Sequence, residues 1–98
     1  MSEIYQLTVG DDTYIGSTCN FKDRIGRHIR NSFNKNSDKY NYNISRAIRK
    51  AGGEITADIL YILEPTERLL KVEYEFYKEL KPTLNMVSPM SEYNYSRS

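Results

Sequence analysis

Glu73 is the residue whose type and position most clearly indicate chemistry. On a helical wheel it projects near the centre of an apolar face that includes Leu69, Phe76 and Leu80. A charged carboxylate is seldom fully buried without a partner, because removing it from water is costly. A metal ion, a paired cation, a raised pKa or an open pocket would each resolve this conflict. The position therefore indicates either a functional site or a salt-bridged glutamate of the core.

Arg24, His28, Tyr5 and Tyr14 are the other residues that could take part in a reaction. Arg24 and His28 are four residues apart in a predicted helix, so they share a face, and the tyrosines lie one on each strand of a predicted hairpin. An arginine can bind a phosphate, and a histidine can bind phosphate or relay a proton. A phenol becomes a general base once a cation or metal lowers its pKa from about 10. The sequence does not choose between the tyrosines, and each of the four residues could instead be an ordinary packing or surface residue.

The elements that must position these residues are predicted in the order β-β-α-α-β-α. This order indicates an α+β fold, an α/β sandwich in which helices flank a small three-stranded antiparallel sheet. Residue alternation, helix caps and proline positions predict strands at 4–9, 13–15 and 55–63, and helices at 21–33, 43–51 and from Pro65 to the residue before Lys81-Pro82.

Three local predictions accompany this order. Phe33 ends the apolar stripe of the first helix, and Ile59, Tyr61 and Leu63 share one face of the third strand. The asparagine-rich segment 34–42 is predicted to be a mobile loop.

Length and cysteine content limit the possible functions. The chain has 98 residues and one cysteine, Cys19. We expect one domain at residues 1–90 and a flexible tail at residues 91–98. One cysteine excludes an internal disulfide and a zinc site of several cysteines, and it fits a reducing compartment, cytoplasmic or nuclear. No signal peptide and no membrane span are predicted, so we expect no membrane partner.

Positive charge is concentrated in residues 22–50, which contain nine Lys and Arg residues against two Asp, although the whole chain has a net charge of +1. A basic segment in a nearly neutral chain suits an anionic polymer, and DNA is the predicted partner. The alternative is an ordinary solvated helix surface. The cations predicted to contact DNA phosphates are Arg27, Arg30, Arg46, Arg49 and Lys50.

Residues 3–87 resemble the GIY-YIG nuclease family. The second signature of the family is intact as Tyr14-Ile15-Gly16, followed by Ser17. The first reads Glu3-Ile4-Tyr5, with glutamate where the family usually has glycine. Glycine permits positive φ angles, but it takes no part in the chemistry, so we expect the glutamate to be tolerated.

The remaining matches imply the roles of individual residues. Arg24 and His28 follow Tyr14 by ten and fourteen residues, as in the helix that carries the family's catalytic arginine, and Glu73 precedes Asn85 by twelve. The resemblance implies catalytic roles for Arg24, His28 and Glu73 and for both tyrosines. It also implies a Mg²⁺ ion at Glu73, with Mn²⁺ as an alternative. It implies supporting roles for Gly16, Ser17 and Asn85.

The implied activity is hydrolysis of DNA phosphodiester bonds. Residues 43–53 look most like the homing endonucleases encoded in phage, viral and intron DNA. A structure-specific nuclease of repair or recombination, a non-catalytic nucleic-acid-binding module and a protein-interaction module remain as alternatives. Since one active site cuts one strand, a double-strand break would require a homodimer or two successive nicks.

Overall fold

The computed structural model describes residues 2–85 of the chain, in which three strands and three helices follow the predicted order. The elements are β1 (Glu3–Val9), β2 (Asp12–Thr18), α1 (Phe21–Phe33), α2 (Asn43–Lys50), β3 (Thr56–Ile62) and α3 (Leu69–Leu80). The predicted α+β architecture is confirmed. The predicted domain boundary at residue 90 and the tail at 91–98 lie outside the described residues.

The three strands form one antiparallel sheet in the order β2-β1-β3. Central β1 alternates between two core clusters, so both of its faces are buried. Tyr5, Leu7 and Val9 pack with Ile44 and Ile48 of α2 and with residues of α1. On the other face, Ile4, Ile15 and Leu63 pack with Leu69, Val72 and Phe76. The helices thus cover the two faces of the sheet, as the sandwich architecture requires.

Glu3, the departure from the usual glycine, lies in regular strand. It pairs with Thr18 on one side and Ile62 on the other. Among residues 2–85, Lys81 alone has a positive φ without being glycine, at 47°. Position 3 therefore does not need the conformational freedom of glycine, and Tyr5 keeps its place in the register.

Strand β3 departs from the predicted simple alternation. Tyr5 pairs with Ile59 and Ile4 pairs with Tyr61, so Leu60 is an extra residue in a bulge. Leu60 packs toward the core, whereas Ile59 is 43% exposed and Tyr61 is 38% exposed. The prediction that Ile59, Tyr61 and Leu63 share a face was therefore wrong, because the bulge interrupts the alternation.

The start of α3 and the end of α1 also differ from the prediction. Helix α3 begins at Leu69, not near Pro65. Residues 64–67 form a turn, in which the Glu67 carboxylate accepts hydrogen bonds from the Glu64 N–H at 2.8 Å and from the Tyr61 hydroxyl. At the end of α1, Phe33 is 53% exposed, so it does not complete the buried stripe.

Strand β2 is longer than the strand predicted at 13–15. Strand β2 continues through Gly16 to Thr18, because the pairing with β1 persists to Glu3. No helix within residues 2–85 has the length and apolar character needed to cross a membrane.

Candidate active site

Gly16 and Tyr5 are direct partners across the β1–β2 hairpin. Tyr5 is completely buried, and a Cβ atom added at Gly16 would lie 2.5 Å from the Tyr5 hydroxyl oxygen. The absence of a side chain at position 16 therefore makes room for the end of the phenol. Gly16 thus accommodates the Tyr5 phenol because it lacks a side chain, and not because of its backbone conformation.

A hydrogen bond of 2.8 Å joins the Tyr5 hydroxyl to Nε2 of His28. The His28 ring lies edge-on to both tyrosines, with centroid distances of 6.0 Å to Tyr5 and 5.2 Å to Tyr14. The two tyrosine rings are themselves 6.3 Å apart. The hairpin and α1 therefore bring Tyr5, Tyr14 and His28 into one contiguous group.

Burial sets the protonation states of this group. It raises the pKa of the Tyr5 phenol far above its usual value, the nearby Tyr14 adds to the rise, and Arg24 opposes it. Burial lowers the pKa of His28 to about 4, and the positive charges of Arg24 and Lys39 act in the same direction. At neutral pH Tyr5 thus holds its proton while the His28 imidazole is neutral and able to accept one.

Arg24 lies half-buried on α1 beside this group. Its Nη1 donates to the carbonyl oxygen of Ser17, at a distance of 3.4 Å. The same guanidinium influences the pKa of both Tyr5 and His28. Ser17 therefore contributes through its backbone carbonyl, which orients Arg24 from the end of β2.

Glu73 is half-buried on α3, the helix that packs against β2. Its negative charge is among the causes that raise the pKa of Tyr5, so it lies within electrostatic reach of the buried phenol. Among residues 2–85, no group of three or more Asp, Glu, His or Cys side chains is arranged so that it could hold a metal ion. A divalent cation at Glu73 would therefore have fewer than three such ligands from the described residues and would take the others from water and substrate, an arrangement that Mg²⁺ commonly adopts.

Asn85 binds both polar backbone groups of Ile15, the residue between Tyr14 and Gly16. Its Oδ1 accepts from the Ile15 N–H at 2.9 Å, and its Nδ2 donates to the Ile15 carbonyl at 2.8 Å. The Leu84 N–H donates to the Thr13 carbonyl at 2.8 Å. Residues 83–85 thus follow the outer edge of β2 and hold the strand that carries Tyr14.

A pocket between α1 and the α2 region opens beside Tyr14, Arg24 and His28. Its volume is about 110 Å³, which is room for several water molecules at about 30 Å³ each. We call it the α1–α2 pocket. Its other lining residues are Arg27, Asn31, Lys39, Tyr42, Ile44 and Ser45.

The five cations predicted to contact DNA have different surroundings. Arg30, Arg46 and Lys50 are exposed, and Arg27 pairs with Asp23 at 3.1 Å while lining the α1–α2 pocket. Arg49 instead donates from Nη1 to the carbonyls of Ser32 and Tyr40, both at 2.7 Å, and its guanidinium stacks on the Tyr40 ring. Arg49 therefore joins α1, the following loop and α2, a structural role that the prediction of a phosphate contact missed.

The sequence prediction also missed part of the pocket. Asn31 follows His28 by three residues and Arg24 by seven, so helical spacing alone could have placed it on their face. Lys39 and Tyr42 come from the segment predicted to be a mobile loop. In the sequence they carry no comparable signal, because only the folding of that loop against α1 brings them to the pocket.

Comparison with known proteins identifies the family of the chain. Residues 1–85 match the family model described as the GIY-YIG catalytic domain. The fold is similar to the structure of the catalytic domain of the homing endonuclease I-TevI, with 24% identity, 89% of this chain and 99% of that chain covered, and a TM-score of 0.70. No curated protein matches the chain. The family match covers most of the chain, so this protein belongs to the GIY-YIG family and is a DNA endonuclease.

Proposed function

We propose that the protein is a divalent-metal-dependent endonuclease of the homing type that hydrolyses phosphodiester bonds of DNA inside a cell. The observation that supports this most directly is that Tyr14, Arg24 and His28 line one basic pocket and that the buried Tyr5 is hydrogen-bonded to His28. The similarity in fold to a homing endonuclease domain supports the homing assignment. The site would cleave one strand at a time.

Arg24 is the residue that we assign to the scissile phosphate. It lines the α1–α2 pocket, and its Nη1 is oriented by the Ser17 carbonyl. A guanidinium held in this way can form charge-assisted hydrogen bonds to phosphate oxygens, and these become stronger as negative charge develops on the phosphorane.

Proton transfer is assigned to the tyrosines and His28. Tyr14 is half-buried and lines the pocket, whereas Tyr5 is fully buried. A general base must come within hydrogen-bonding distance of the attacking water, so we assign this role to Tyr14. The Tyr5–His28 hydrogen bond holds the neutral imidazole against the Tyr14 ring. Tyr5 therefore acts as a positioning residue for His28.

Glu73 is the residue that would hold the divalent ion, Mg²⁺ or Mn²⁺. Such an ion supplies charge neutralisation at the phosphate and lowers the pKa of bound water. Glu73 is half-buried, and its charge acts on the Tyr5 phenol, although Glu73 is not among the residues that line the α1–α2 pocket.

Exposed cations would hold the DNA backbone against the site. Arg30, Arg46 and Lys50 are free to reach phosphates, and Arg27 can do so from the rim of the pocket. Phosphate contacts position DNA without reading its sequence. We therefore assign affinity to these residues, and not target choice.

The test is nicking of supercoiled plasmid in Mg²⁺ or Mn²⁺ by wild type, Glu73→Gln and Glu75→Gln. Glu75 is an exposed carboxylate of the same helix, so it is the matched control. We expect wild type and Glu75→Gln to cut, and Glu73→Gln to lose activity at least about 100-fold while still binding DNA.

Cutting by Glu73→Gln at the wild-type rate would reject Glu73 as the metal ligand. Binding without cutting by the wild type would instead identify a non-catalytic module. Preference for branched over linear DNA would indicate a repair or recombination nuclease. Linear product whose rate rises with the square of protein concentration would indicate a dimer, and accumulation of nicked circles would indicate successive single-strand cuts.

A further inference from the structure

The α1–α2 pocket carries more positive charge than one scissile phosphate requires. Arg24, Arg27 and Lys39 all line it, and no Asp or Glu among residues 2–85 is part of the lining. Arg27 does have a carboxylate neighbour, because it pairs with Asp23 on the outer side of α1. Lys39, on the loop that follows α1, lines the same cavity, so three cations share one lining.

The position of Lys39 is fixed by the polar loop that carries it. The buried Ser45 hydroxyl donates to the Lys39 carbonyl at 2.7 Å, and the Lys39 N–H donates to Ser37 Oγ at 3.1 Å. Ser37 Oγ in turn donates to Asn31 Oδ1 at 3.1 Å. The loop is therefore fastened to both helices and is not the free segment that its composition predicts.

Cations held around one cavity repel one another and disfavour a positive charge on the imidazole between them. The effect of Lys39 on the pKa of His28 shows that its charge reaches this ring. An anion placed among these groups would convert the repulsion into attraction. The Tyr42 side chain, 41% exposed at the edge of the pocket, also offers a flat surface against which a base could stack.

We propose that the α1–α2 pocket binds the nucleotide next to the cleavage position, with Lys39 and Arg27 contacting its phosphodiester and Tyr42 contacting its base. This inference rests on the proposed function for the identity of the polymer. Lys39 is then a substrate-positioning residue that fixes the register of the strand relative to Arg24. The hydrogen bonds of Ser45, Ser37 and Asn31 hold the loop backbone at Lys39 and so keep this lysine at the pocket.

The direct test uses His28 as a reporter, since it is the single histidine of the chain. A thymidine dinucleotide with one internal phosphodiester is titrated into metal-free protein at pH 7, and the imidazole signals are followed by NMR. Wild type, Lys39→Gln and Lys35→Gln are compared. Lys35 is an exposed lysine of the same loop and is not part of the pocket lining, so it is the matched control.

We expect the dinucleotide to shift the His28 signals in wild type and Lys35→Gln, and to bind Lys39→Gln at least about 5-fold more weakly. Equal affinity for all three proteins, or no shift in any of them, would overturn the proposal. A further variant, Tyr42→Leu, removes the aromatic ring and should also weaken dinucleotide binding several-fold. Because this measurement needs no cleavage, its outcome is independent of the metal assignment.

Cleavage kinetics separate this proposal from the proposed function. For Lys39→Gln we expect KM to rise about 5-fold with kcat within about 2-fold, and the slope of log affinity against log salt to fall by about one unit. Wild-type KM and salt slope in Lys39→Gln, with Glu73→Gln inactive, would reject the pocket and leave the nuclease assignment intact. Absence of cleavage by the wild type would reject the nuclease assignment alone.

Discussion

The phenol of Tyr5 fills the space beside Gly16 that any other residue would need for its side chain. The two residues are partners across the hairpin, and the hydroxyl that passes Gly16 ends on His28. The glycine of the second signature and the tyrosine of the first are therefore one steric unit. This relationship explains how the two short signatures of the hairpin act on the position of His28, a residue of α1.

Gly16→Ala should damage the site. The added methyl group would push the Tyr5 phenol away from His28, and overpacking of this kind typically costs about 1–3 kcal/mol of unfolding free energy. We expect a fall in cleavage of at least about 10-fold together with a lower melting temperature. Thermal denaturation and single-turnover cleavage measure the two effects.

Gly26→Ala is the control for this substitution. Gly26 lies inside α1, and its added Cβ would meet only the flexible end of the Arg30 side chain, at 3.0 Å. Replacing a helical glycine with alanine should stabilise the helix by up to about 1 kcal/mol. A Gly16→Ala protein as stable and active as Gly26→Ala would contradict the steric coupling of Tyr5 and Gly16.

Phenylalanine substitutions should distinguish the two tyrosines. Tyr14→Phe removes the general base that we assign, so cleavage should fall by about 100-fold or more. Tyr5→Phe leaves His28 without its partner and should lower stability by about 1–2 kcal/mol, with a smaller loss of cleavage. Single-turnover rates at saturating protein, combined with urea denaturation, test both expectations. Near-wild-type cleavage by Tyr14→Phe would reject Tyr14 as the general base.

His28 should make the fold sensitive to acid. Its pKa is about 4 in the folded protein, below the ordinary value of 6.5, so between these values the unfolded chain binds more protons. Stability from this group is present above pH 6.5 and is lost as the pH falls toward 4. Between pH 7 and 4.5 we expect a loss of about 2 kcal/mol from this residue.

Comparison with His28→Gln isolates this contribution, because the carboxylates that also titrate are common to both proteins. Urea denaturation at the two pH values should show a smaller acid-dependent loss for the variant. Equal losses in both proteins would mean that His28 titrates normally in the folded state.

Arg49 and Arg46 should respond to substitution in opposite ways. Arg49→Lys loses the stacking on Tyr40 and part of the bonding to two carbonyls, so stability should fall by about 1–2 kcal/mol while DNA binding keeps its salt dependence. Arg46→Gln changes an exposed residue, so it should leave the melting temperature unchanged and reduce the salt slope by about one unit. The measurements are DNA binding at several salt concentrations and thermal denaturation. A lower salt slope for Arg49→Lys with a lower melting temperature for Arg46→Gln would contradict these roles.

The sequence predicts well that Tyr5, Tyr14, Arg24 and His28 come together, because local rules place them. The hairpin pairs Tyr5 and Tyr14 with known neighbours, and helical spacing puts Arg24 and His28 on one face. Arg49 shows where such rules stop, since composition marks it as a free cation and only the packing of α1, the loop and α2 reveals its carbonyl partners. The bulge at Leu60 could not be predicted from local rules either, because it depends on the pairing with β1 and not on the residues of β3 alone.

Lys39 lies in a loop whose ordered position could not be predicted from the sequence. Its segment has the composition of a solvated loop, yet hydrogen bonds from Ser45 and to Ser37 fix its backbone. Such bonds need a tertiary arrangement already in place, so neither periodicity nor propensity could predict them.

The bonding of Asn85 to Ile15 spans 70 residues of sequence. During synthesis from the N-terminus, the hairpin and α1 leave the ribosome long before Asn85 does. The outer edge of β2 stays open throughout this interval, so the strand that carries Tyr14 is held on one side only. The order of translation thus makes the contact between Asn85 and β2 one of the last that the described fold can form.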